Sequence, residues 1–136
     1  MAKEDEQWGE RLKQARVAAE VSQKNLGIKA GIDPSVASTR INRYELGVHK
    51  PDLLTARNLA KVLGVPVAFF YADEDEIADL IYRYSKAEPS VQQKIQALLA
   101  SVKESKSFIM TMNAGAIPAG HWTQDNAVGG GRIIGE

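Results

Sequence analysis

The chain has 136 residues, as many basic as acidic side chains, and no cysteine. That length suits one domain with an appendage, and the missing thiol excludes disulfides, a cysteine nucleophile and cysteine-ligated zinc. Neutrality hides an asymmetry: residues 1–71 carry eleven Lys or Arg against eight Asp or Glu, and residues 72–136 six against nine, so the front half can still attract a polyanion.

The opening MAKEDEQWGE lacks the apolar core of a secretory signal, and no apolar run reaches the ~18 residues of a membrane span. A cytoplasmic location is expected. A first helix is predicted over Gln7–Ala19, with Trp8, Leu12, Ala15 and Ala19 inward and acidic residues at its start. Ser22 caps a second helix that buries Leu26 and Ala30 and ends at Gly31. Asp33 caps a third, with Pro34 in its first turn, running to about Leu46 before Gly47 stops it. Asp52 caps a fourth, whose stripe is Leu53, Ala56, Leu59, Ala60 and Leu63 and whose end is Gly64. Pro66 opens a short fifth helix bearing Phe69 and Phe70. In such a setting these rings, like Trp8, are core and not base-stacking platforms.

An acidic run, Asp73 to Glu76, begins a second unit. Ile77, Leu80, Ile81 and Tyr84 share one apolar face, and a further helix over 90–105 aligns Val91, Ile95, Leu98, Leu99 and Val102. Such helices pack back on the first domain or meet a second copy. Residues 107–136 hold six of the eleven glycines and read as a flexible tail. The expected fold class is all-α: a five-helix domain over 6–71, a helical dimerisation or packing extension over 75–106, and the Gly-rich tail over 107–136.

The chemistry concentrates in Val21–Glu45, two helices joined by a tight turn. On the third helix Ala37, Ile41 and Tyr44 recur at core spacing, leaving Ser38, Thr39, Arg40, Asn42 and Arg43 on the outer surface. Arg can donate two hydrogen bonds to guanine, and Thr can meet a base edge or the thymine methyl. Ser38, Thr39, Arg40 and Arg43 are therefore the base-reading candidates. Gln23, Lys24, Asn42 and Lys50 are the phosphate candidates, Gln23 and Lys24 standing at a helix start where backbone N–H groups are free; Asn42 could also reach adenine. Arg16 and Glu45 can form an ion pair fixing helix 1 against the end of helix 3. His49 and His121 show no metal-ligand spacing, and no nucleophile–base constellation or glycine-rich phosphate loop is present. No enzyme activity, metal or cofactor is expected.

The segments GERLKQAR at 9–16, VSQKNLGIKAG at 21–31, INRYELGVHKPD at 41–52 and LAKVLGVPVAFFY at 59–71 together resemble the XRE-type helix-turn-helix family, whose fold is that of the phage lambda and Cro repressors. The resemblance covers about half the chain. It implies a lambda-repressor-like domain binding a double-stranded DNA operator, usually as a dimer and often as a repressor; here the homodimer would form through 75–106. It also implies that Gln23 touches phosphate, that Arg16 pairs with Glu45, and that Ser38, Thr39 and Arg43 read bases. Two features depart from the pattern. Gly31 to Glu45 spans fourteen residues, longer than usual in the family by about one helical turn. A recognition helix lengthened at its N-terminus, with Ser35, Val36 and Ala37 in the added turn, is the simplest expectation. Gly27 stands where the family prefers alanine, and either loosens helix 2 or admits a close backbone approach. The rival class is a protein-interaction adaptor that keeps the fold without operator binding.

Overall fold

A computed structural model describes residues 3–102, and side chains from Glu6 onward. The tail 107–136 and the end of the predicted last helix lie outside the described residues. Within them the chain is all helical: α1 Lys3–Ala18, α2 Gln23–Lys29, α3 Ala37–Glu45, α4 Leu53–Leu63, a 3-10 turn Val67–Tyr71, α5 Asp75–Lys86 and α6 Pro89–Leu99. No described helix is long and apolar enough to cross a membrane. Two compact units divide at Lys86 and Ala87.

In the first unit, α1 to α4 and the 3-10 turn enclose a core centred on Leu12, Leu26, Ile41, Leu59 and Phe70, all fully buried. Each such side chain contributes about 1.5–3 kcal/mol on leaving water. Trp8 packs on Phe70 with ring centroids 4.9 Å apart. Helix starts follow the sequence signals: the Ser22 side chain accepts from the Asn25 amide, and Asp52 accepts from that of Thr55. Helix ends share one motif. A residue with left-handed backbone follows α1 to α4, and the next amide bonds back five residues, as in Val21 to Arg16 and Val65 to Ala60. Glycine takes that position after α2, α3 and α4, but Glu20 takes it after α1, at φ 56°.

Some expectations require correction. Ala19, expected to face inward on α1, is exposed in the turn after it. The recognition helix is not extended: α3 begins at Ala37, and Pro34–Val36 form a turn. One Asp33 carboxylate oxygen accepts from both the amide and the hydroxyl of Ser35, at 2.8 and 2.6 Å, which closes a local turn instead of capping a helix. Leu53 is 51% exposed and lies outside the buried stripe of α4. The short fifth helix expected after Pro66 is present as a 3-10 helix, with Phe69 and Phe70 buried.

Close approach explains Gly27. A Cβ there would stand 2.8 Å from the Ala37 Cβ and 3.1 Å from its Cα, so α2 and α3 meet nearly backbone to backbone. Gly9 serves likewise between α1 and the end of α3, where a Cβ would meet the Glu45 carbonyl and lie 2.6 Å from that of Tyr44.

The sequence reading grouped α5 with α6, yet α5 belongs to the first unit. Ala78 is buried there, and the nearly buried Arg11 of α1 anchors its start. The guanidinium donates to the Ala72 and Asp73 carbonyls and pairs with the Asp75 carboxylate at 2.9 Å. Ile77 and Leu80 of α5 stay about half exposed. In the second unit α6 starts at Pro89, and Val91, Leu98, Leu99 and Val102 are exposed.

Candidate nucleic-acid interface

Helix α3 has two faces. Ala37, Ile41 and Tyr44 seal the core, while Ser38, Thr39, Arg40, Asn42 and Arg43 are exposed. Thr39, Arg40 and Arg43 line one groove with Val36, Tyr44, His49 and Lys50. The loop after α3 thus turns beside it, adding an imidazole and an ammonium to two guanidinium groups. His49 stands next to Lys50, just past the end of α3, and that position puts it at this groove. Asp33 precedes α3, and its pKa lies below the ordinary carboxylate value because the Ser35 hydroxyl and amide hydrogen bonds favour the ionised form, with Arg40 adding a smaller attraction.

A hydrogen-bond network holds the end of α3. Arg16 grips Glu45 with two nitrogens, Nε to Oε2 at 2.5 Å and Nη2 to Oε1 at 3.2 Å, and its Nη1 donates to the Val21 carbonyl at 3.0 Å. The Glu45 side chain is 4% exposed and that of Arg16 15%. This bidentate geometry is the strong form of the Arg–carboxylate pair. Gln23, the first residue of α2, donates from Nε2 to Glu45 Oε1 at 3.0 Å and to Asn42 Oδ1 at 3.2 Å. Glu10 and Lys13 of α1 share the shallow depression around these groups. The start of α2, the end of α3 and the end of α1 are therefore tied by one buried carboxylate.

The site-residue candidates fall into two neighbouring sets. Thr39, Arg40, Arg43 and Lys50 gather at the groove, and Ser38 is exposed on the same helix. Gln23 and Asn42 are joined to each other and to the Arg16–Glu45 pair, and Lys24 is exposed on α2. Among the described residues no cluster of His, Asp and Glu could hold a metal ion. Arg11 was not singled out from sequence, because the partners it anchors, Ala72, Asp73 and Asp75, are distant in the chain.

The sequence pattern of the helix-turn-helix family matches residues 12–70. Three solved chains are similar. One of them, described as the crystal structure of transcriptional regulator BswR, is 41% identical, aligns over 69% of this chain and 93% of its own, and superposes with a TM-score of 0.66. No curated protein sequence matches the chain.

Proposed function

The chain belongs to the XRE-type helix-turn-helix family, and on that premise we propose that it is a DNA-binding transcriptional regulator, a dimeric repressor that reads a duplex operator with α3 in the major groove. The observation that carries this reading is the polar outer row of α3 set over a sealed core face, with Arg40, Arg43 and Lys50 lining one groove. In this reading Ser38, Thr39, Arg40 and Arg43 meet base edges, Lys24, Asn42 and Lys50 run along the phosphates, and Gln23 stands beside them at the start of α2. The solved neighbour's description as a transcriptional regulator supports the same role.

The dimer proposal rests on the apolar side chains exposed in each unit, Ile77 and Leu80 on α5 and Leu98 and Leu99 on α6. Two copies would present two copies of α3 to half-sites about one helical turn of DNA apart.

Selection of bound duplexes from a random pool, run on the chain and on Arg43→Ala in parallel, tests the proposal. A palindromic motif is expected, and the variant should lose discrimination at a defined base pair, worth about 1–3 kcal/mol. Absence of any duplex preference at low salt would refute operator binding and leave the adaptor role.

A further inference from the structure

The side chains of Arg16, Glu45, Gln23 and Asn42 form a hydrogen-bond chain whose direction is fixed from one end. Arginine only donates and an ionised carboxylate only accepts. Gln23 must therefore turn its nitrogen, and not its oxygen, toward Glu45. That nitrogen has two hydrogens: one serves Glu45 Oε1 at 3.0 Å and the other Asn42 Oδ1 at 3.2 Å. Both side-chain donors of Gln23 are spent inside the protein. The Asn42 amide is correspondingly turned with its oxygen toward Gln23, and its two Nδ2 hydrogens are left for whatever covers the exposed surface of α3.

We propose that Asn42, and not the Gln23 side chain, donates to a DNA phosphate oxygen, and that Gln23 is a positioning residue that sets the polarity of the Asn42 amide. The inference rests on the proposed reading that α3 enters the major groove. A phosphate oxygen accepts hydrogen bonds, so it suits the Nδ2 of Asn42 and not the one polar atom of the Gln23 amide that is left over, Oε1. Bidentate recognition of adenine uses the oxygen and the nitrogen of one amide together. With one lone pair of Oδ1 taken by Gln23, Asn42 is turned to meet the DNA through its Nδ2 hydrogens. The carboxylate of Glu45 thereby acts at the DNA surface through two intervening amides, without touching DNA itself.

The test is the affinity of the full chain for its best selected duplex and for single-base variants of it, at several salt concentrations. Asn42→Ala should weaken binding to every duplex by about the same factor, tenfold or more for a lost hydrogen bond to a charged group, with the order of preference kept. The salt slope should stay unchanged, because a neutral amide releases no counterion. Asn42→Asp keeps the acceptor for Gln23 but has no donor, and should weaken binding further. Gln23→Ala should also weaken binding, and adding Asn42→Ala to it should cost clearly less than the same change in the unmodified chain. Loss of preference confined to an adenine position would overturn the inference, as would losses that simply multiply in the double variant. A chain that binds no duplex at all would refute the operator reading itself, a different result from a chain that binds but ignores Asn42.

Discussion

Removing the Glu45 carboxylate is the sharpest perturbation of the first unit, because three other side chains take their orientation from it. In Glu45→Ala, Arg16 loses two of its three hydrogen bonds and keeps the Val21 carbonyl, while Gln23 keeps only its contact to Asn42. Breaking a fully buried pair from one side costs about 3–5 kcal/mol, because a charge is left unmatched. Arg16 retains 15% exposure and can partly hydrate, so about 2–3 kcal/mol is expected here. For a unit of this size each 1 kcal/mol moves Tm by about 4–8 °C, and the fall should be about 10–20 °C by calorimetry. Glu45→Gln should cost less, and replacing Arg16 and Glu45 together by leucine should cost less than either single truncation. Operator affinity, measured below the variant's Tm, should fall as well, since Gln23 and Asn42 lose their anchor. A loss under about 0.5 kcal/mol in Glu45→Ala, the range of an exposed pair, would refute the claim that this carboxylate organises the site.

Further outcomes follow from single contacts. Gly27→Ala gains helix propensity of about 1 kcal/mol, but its Cβ meets Ala37 backbone and side chain together; urea titration should show a net loss of about 1–2 kcal/mol from overpacking, with Gly9→Ala worse because the obstacle there is entirely carbonyl backbone. Glu20→Gly relieves the left-handed backbone at φ 56° and should raise stability by about 1 kcal/mol; an unchanged midpoint would show that the residue bears no strain. Asp52 has its pKa lowered from 3.8 chiefly by hydrogen bonding to Thr55, so its stabilising contribution is complete above that value and is lost as pH falls through the lower folded value. Stability of Asp52→Asn should accordingly depend less on pH below about 4, and an acid limb as steep as that of the unmodified chain would contradict this.

How far the sequence reaches can be judged from particular residues. Apolar period and end signals locate the helices because Trp8, Leu12 and Ala15, then Leu26 and Ala30, then Ala37, Ile41 and Tyr44, then Ala56, Leu59, Ala60 and Leu63 recur at spacings of three and four, and Ser22 and Asp52 cap with local bonds. The start of α3 is not legible in that way. Asp33–Pro34 is a sound helix opening, yet the same carboxylate can bond Ser35 and close a turn, and Gly27 packing against Ala37, a contact across the motif, favours the second arrangement. Leu53 fits the period of α4 but stands in its first turn, beyond the reach of the core. Arg11 gives no sequence signal of its role, since apart from Gln14 its partners are the distant Ala72, Asp73 and Asp75. At the candidate interface, the polar row of α3 follows from the spacing of Ala37, Ile41 and Tyr44. The direction of the Asn42 amide does not, because it depends on a carboxylate three residues on that is fixed by α1.

The lengthened connection between α2 and α3 then has a definite consequence for recognition. Because its extra residues are taken up in the Pro34–Val36 turn, the helix keeps nine residues, about 13 Å of axis against a major groove about 12 Å wide. Gly27 on Ala37 fixes where that helix begins, and Arg16 on Glu45 fixes where it ends. Held at both ends, it has no freedom to slide by a turn, so Ser38 and Thr39 stand in its first turn and Arg43 near its last. Ser35 and Val36 belong to the preceding turn. A bound duplex would therefore meet a short reader of fixed length, with the added residues changing the approach of the chain to the helix while the helix itself keeps its register.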